Sequence, residues 1–216
     1  MQNNVIRHSK SQVVLEVLNA VSHGISFFLG IFLTIILLVK ASRDSLGGAE
    51  IFSLAIYSAA VLLLYLASTL FHCLVFTKAS RVFQIFDHSN IYLLIAGTYT
   101  PYCVIFMPGI AGVILLTTVW ILAVSGIILH IISKGKHQKI ETTIYVAMGW
   151  LCMFLGKALY SNLSLAGFWL LVSGGIVFTL GALIYSFSKI PGMHLIWHFF
   201  VMAGTLLMFL SIYLNI

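Results

Sequence analysis

Two histidines four residues apart, His194 and His198, stand at the start of the last long apolar run of the chain. On a helix that spacing puts both imidazoles on one face, one turn apart, with Cβ atoms roughly 5–6 Å from each other. Two rings so placed can close on a single cation. Ionisable side chains are rare inside membrane segments and mark a functional site there by default. Ser68 and His72 repeat the four-residue spacing earlier in the chain, and Asp87 follows them. Three His nitrogens with one open position form the ligand set of a catalytic zinc site, where water takes the fourth place. Zinc brings the pKa of such a water down to about 7 and supplies hydroxide at neutral pH. His72, His194 and His198 are the expected ligands, and Zn2+ the expected ion. Asp87 is expected to accept a hydrogen bond from that water and act as general base, or to orient a ligand from behind. Ser68 can hydrogen-bond a substrate carbonyl or the oxyanion formed from it, unless its hydroxyl turns back onto its own helix.

These residues need elements that bring them together, and the composition says which. Of 216 residues, 61% are hydrophobic and 7% charged, where an ordinary soluble domain carries about 25% charged residues. A membrane crossing takes about 20 apolar residues, so most of the length is spans. The net charge of +6 lies in short loops between apolar runs, the pattern of membrane topology and not of nucleic-acid binding. The expected fold is an all-α membrane protein, a seven-transmembrane-helix bundle with spans near 19–39, 49–75, 88–106, 110–132, 142–160, 165–187 and 193–216. Residues 1–18 form a polar tail and an interfacial amphipathic stretch, and 19–216 form the transmembrane domain.

Orientation follows from the basic residues. One side holds Arg7, Lys10, Lys78, Arg81, Lys134, Lys136, Lys139 and Lys189; the other holds Lys40, Arg43 and Lys157. The positive-inside bias puts the N-terminus in the cytoplasm and the C-terminus outside, the reverse of a G-protein-coupled receptor. Ser68 and His72 then end the second span, Asp87 begins the third, and His194 and His198 begin the seventh, all in the cytoplasmic leaflet. His72 and His194 share that depth although 122 residues separate them.

Glu16, Asn19 and His23 fall on one face of the first helix and either tie it to the site by hydrogen bonds or form an interfacial polar face. His8, His130 and His137 are assigned no role, and His88 points about 100° away from Asp87 on a helix. Gly24, Gly30, Gly97, Gly149, Gly174, Gly175 and Gly181 are expected to allow close helix contacts. Cys73, Cys103 and Cys152 show no paired spacing and read as small buried hydrophobes. No internal repeat is evident, which argues against an inverted-repeat transporter.

Glu16-x2-Asn19-x3-His23-Gly24, Ser68-x3-His72-x14-Asp87, the run from Phe86 through Asp87-His88-Ser89-Asn90 to Thr100-Pro101, and His194-x3-His198 resemble the hemolysin III family. That family is the bacterial branch of the progestin and adipoQ receptor family. The resemblance covers nearly the whole chain. It implies a seven-helix zinc protein of the bacterial plasma (inner) membrane, related to adiponectin receptors and more distantly to alkaline ceramidases. It implies the three histidines as ligands, with Asp87 and Ser68 beside the metal. The family name implies cell lysis, whereas the eukaryotic relatives imply hydrolysis of lipid amides; a shared fold does not choose between them.

Three functions follow as expectations. The first is a zinc-dependent hydrolase acting on a membrane lipid amide or ester. The second is a zinc-containing sensor or regulator of membrane lipid state, with no exchangeable water on the metal. The third is a cytolysin, which calls for a polar helix stripe or a soluble-to-membrane switch that the uniformly apolar spans do not offer. The partner is a membrane lipid, as substrate or ligand; its identity and the oligomeric state are not written in the sequence.

Overall fold

In a computed structural model, residues 9–186 and 190–216 are described. They are helical throughout, with no strand among them. The expectations placed on Arg7, His8 and Lys189 lie outside the described residues.

Helix α1 runs from Lys10 to Arg43. Its start is set by Ser9, whose Oγ accepts the Gln12 N–H at 3.2 Å while Gln12 Oε1 accepts the Ser9 N–H at 3.0 Å. That reciprocal pair satisfies two of the donors a helix start leaves open. No proline interrupts the stretch that follows, and the helix runs without a break through residues 18 and 19, where the first span is expected to begin. At 34 residues the helix is about 50 Å long, well beyond the roughly 30 Å of bilayer hydrocarbon.

The remaining helices are α2 (Gly48–Leu74), α3 (Ser80–Pro101), α4 (Ile110–Ser133), α5 (Gln138–Gly149), α6 (Gly156–Asn162), α7 (Leu165–Tyr185) and α8 (Met193–Tyr213). The expected fifth span is not one regular helix: a 3-10 segment, Leu151–Leu155, separates α5 from α6. α3 runs on through a π-helical turn, Tyr102–Phe106, and the chain reverses at Met107-Pro108-Gly109, where Gly109 holds φ +101°. Six helical stretches among the described residues are long and apolar enough to cross a membrane: α1, α2, α4, the α5–α6 stretch, α7 and α8.

α1 packs on α2 and α8, α2 on α3, α3 on α4 and α5, α5 on α7, and α7 on α8, which closes a ring of helices. Large apolar side chains such as Phe28, Phe32, Phe52, Ile110 and Ile132 are exposed on its outside. Asn19, His23, Ser68, His72, Asp87, His130, Glu141 and His198 are buried inside. This inverts the arrangement of a soluble domain and suits a lipid solvent. Small residues let the helices approach. A Cβ on Gly97 would lie 2.5 Å from Ala60 Cβ across the α2–α3 contact, and one on Gly126 would lie 2.2 Å from the Tyr92 ring. Gly149 departs from the expectation: it ends α5 with no neighbour within 4 Å of where a Cβ would stand. Cys73 is likewise exposed, and among the three free cysteines Cys103 is the buried one.

Candidate metal centre

His72 lies in the last turn of α2, and His194 and His198 in the first turns of α8. The start of α8 is set by Pro191-Gly192, with Gly192 at φ +87° in the capping position, a conformation other residues adopt only at a cost. From that start the four-residue spacing aims both imidazoles at the end of α2. Ring centroids are 4.8 Å apart for His194 and His198, 5.1 Å for His72 and His194, and 5.0 Å for His72 and His198. One donor atom from each lies within 4.8 Å of the other two, a group able to hold a metal ion.

Hydrogen bonds decide which nitrogens face inward. His72 Nδ1 is 2.6 Å from Glu16 Oε2. An ionised carboxylate only accepts, so Nδ1 carries the proton and Nε2 presents a lone pair. His198 Nδ1 is 3.2 Å from Ser22 Oγ, and that hydroxyl gives its hydrogen to the Asn19 carbonyl at 2.9 Å. With its hydrogen committed, Ser22 accepts from His198 Nδ1–H, and His198 Nε2 is likewise a lone pair. His194 Nε2 is 3.3 Å from His72 Nε2. Two nitrogens at 2.0–2.1 Å from one tetrahedral zinc stand about 3.3–3.4 Å apart, so the donor set fits such an ion in chemistry, and the His72–His194 pair fits it in bite.

The surroundings are polar and enclosed. His23 stacks on His198 with centroids 3.6 Å apart and planes at 10°, and neither of its buried ring nitrogens has a hydrogen-bond partner. Asp87 and Ser68, both buried, line a cavity of about 20 Å³ together with His23, His88, Tyr185, His194 and His198. That volume admits one water or ion. Ser68 faces Asp87 without a hydrogen bond of good geometry to it or to its own backbone. Thr69 beside it does turn back, donating to the Tyr65 carbonyl at 2.7 Å. Leu64, Ile91, Tyr185, Trp197 and Val201 line this cavity and also a larger apolar one of about 110 Å³.

All five residues picked out for chemistry thus meet at one end of the bundle. Of the α1 residues, Glu16 contacts His72 directly, His23 stacks on His198, and Asn19 accepts the Ser22 hydroxyl through its backbone. Ser22 was not anticipated. The available signal was its place three residues after Asn19, one turn along the helix.

The class of protein is a multi-pass helical membrane protein with a buried cluster of histidines able to hold a metal ion. The family model of haemolysin-III-related proteins matches residues 11–209. Hemolysin-3 of Bacillus cereus is 43% identical over 197 residues, covering 91% of this chain and 90% of that protein. The hemolysin-3 homolog of Bacillus subtilis is 42% identical over 91% of this chain and 92% of its own length. The human monocyte to macrophage differentiation factor is 26% identical over 73% of this chain and 68% of its own. The chain belongs to the haemolysin III family.

Proposed function

We propose that this protein is a zinc-dependent hydrolase of a membrane lipid amide or ester, with His72, His194 and His198 as ligands. The observation that carries the reading is the pair of hydrogen bonds by which Glu16 and Ser22 engage Nδ1 of His72 and of His198, leaving Nε2 of each for an ion, beside a cavity large enough for one water. Zinc held there supplies Lewis-acid activation of a water and of a carbonyl. Asp87 takes the proton from the attacking water and returns it to the departing nitrogen or oxygen. Ser68, its hydroxyl not spent on the backbone, donates to the substrate carbonyl oxygen, where negative charge develops. The acyl chain occupies the apolar cavity that shares five lining residues with the polar one. In this reading α3 is the seventh crossing, paid in interior polar contacts in place of lipid-facing ones. The protein sits in the bacterial plasma membrane with its N-terminus and the site on the cytoplasmic side.

The test uses purified full-length protein and a lipid extract of the source cells, with zinc measured on the same samples. Asp87→Asn is expected to keep its zinc and lose about 10²–10⁴-fold in turnover. Equal turnover by wild type and variant at equal zinc would remove Asp87 as the base. Zinc bound but no turnover by wild type would favour the sensor, and leakage of dye-loaded vesicles would favour the lysis stated in the relatives' names.

A further inference from the structure

His130, to which the sequence assigns no role, and Glu141 are among the most buried polar side chains of the described residues, at 2% and 3% exposure. His130 lies in the last turn of α4 and Glu141 in the first turn of α5. The link between those helices is tight, with Lys134 at φ +53° and Gly135 at φ +71°. It folds the two side chains together, and His130 Nδ1 stands 2.9 Å from Glu141 Oε2. α3 packs against both helices and brings His88, whose ring centroid is 5.1 Å from that of His130. One donor atom from each of the three lies within 4.8 Å of the other two.

We propose that His88, His130 and Glu141 form a second site for a divalent transition-metal ion, separate from the three-histidine centre. A buried carboxylate is costly unless its charge is matched and its lone pairs are used. Glu141 Oε2 is matched by His130, but Glu141 Oε1 is buried with no hydrogen-bond partner. The unspent oxygen asks for a cation, and the basic residues of the loop do not reach it: no ion pair joins Glu141 to a lysine among the described residues. Two imidazoles and one carboxylate favour zinc, iron, nickel or copper over calcium and magnesium, which prefer all-oxygen sites. A spacing of 2.9 Å between a ring nitrogen and a carboxylate oxygen serves as a hydrogen bond; an ion that displaces the ring proton needs the pair to open by only about 0.4–0.5 Å to reach the bite of two ligands on a tetrahedral centre. Tyr185 Oη, 3.3 Å from His88 Nε2, and Tyr145 Oη, which donates to the His88 carbonyl at 3.3 Å, hold that residue in place. An ion there pins the ends of α4 and α5 to α3, one residue from Asp87.

The experiment strips the full-length protein with a chelator and titrates it with Zn2+ and, separately, Co2+. Wild type is expected to bind two equivalents. Glu141→Gln keeps the shape and a hydrogen bond to His130 but removes the charged ligand, and is expected to bind one. His194→Ala disables the other centre and is also expected to bind one, with Co2+ visible absorption arising from a nitrogen–oxygen ligand field. The double variant should bind none. Because His194→Ala leaves α3, α4 and α5 untouched, its remaining equivalent tests the proposal even if Glu141→Gln folds poorly. Failure of His194→Ala to bind any ion would overturn the proposal, as would two equivalents in a folded Glu141→Gln. Binding that survives His194→Ala undiminished and disappears with Glu141→Gln would uphold this site and sink the three-histidine one.

Discussion

The two clusters are built from the same kinds of side chain and put their carboxylates to opposite use. At the three-histidine centre the acid, Glu16, stands behind a ring and bonds His72 Nδ1; the atoms offered to an ion are neutral nitrogens. In the second group Glu141 is itself among the donors. Neutral donors leave the charge of a bound cation largely uncompensated, so it polarises a neighbouring water or carbonyl strongly, whereas an anionic donor offsets part of that charge. The surroundings differ in the same sense. Asp87, Ser68 and a one-water cavity lie beside the first cluster; of the second, His88 reaches the same cavity, while His130 and Glu141 are wedged between helix ends. The first arrangement suits chemistry and the second suits holding helices together.

The largest effect expected from this contrast is loss of a neutral donor at the first centre. His198→Ala is expected to weaken zinc there by more than about 10²-fold, beyond the 10–100-fold that residues behind ligands typically contribute. Competition with a chromophoric chelator measures it, and the same titration should show the second equivalent unmoved. Equal weakening of both would mean that the clusters act as one unit.

Glu16→Ala is next. Removing the acid behind His72 frees the ring to rotate and lowers its basicity, at an expected cost of about 10–100-fold in first-centre affinity. Turnover should fall with occupancy and recover when zinc is raised, because Glu16 is a positioning residue. Turnover that stays low at full occupancy would instead place Glu16 among the groups that handle the proton.

Much of the first centre was legible because two rules converge on it. The four-residue spacing of His194 and His198 is a helix-face rule, and the even-numbered loops that gather Lys and Arg put the ends of α2 and α8 on one side. Neither rule needs tertiary knowledge. The second cluster was hidden for the converse reason. His130 and Glu141 flank a loop carrying Lys134, Lys136 and Lys139, and the charges of that loop read as topology, which says nothing about side chains folded back under it. The expected third span, α3, is not among the helices of the described residues that are apolar enough to cross a membrane. A mean over a helix sums all its faces, and α3 packs between α2 and α4 with Asp87, Ser89, Asn90 and Thr100 buried, so its inward polarity lowers the mean. The break between α5 and α6 has no proline to announce it; the turn there is held by Tyr99 Oη, which donates to the carbonyls of Met148 and Gly149 and accepts the Cys152 N–H at 2.8 Å. Contacts from another helix are invisible to a local reading.

The smallest effect concerns Ser22, and it discriminates most finely. Its hydroxyl receives His198 Nδ1–H at 3.2 Å and passes its own hydrogen to the Asn19 carbonyl. A neutral hydrogen bond of this kind has a net worth of about 0.5–1.5 kcal/mol, which corresponds to roughly 2–10-fold in affinity. Ser22→Ala is therefore expected to weaken zinc at the three-histidine centre by that factor and to leave the second equivalent alone. Ser26→Ala is the matched control: one turn further along α1, its hydroxyl donates only to the Ser22 carbonyl at 2.9 Å, and its loss should not register in the titration. If Ser22→Ala costs as much as Glu16→Ala, the tautomer of His198 depends on Ser22 alone and the hydroxyl controls more than orientation. If it costs nothing, His198 is held by its stacking on His23, and the stacked ring takes over the orienting role assigned to the serine.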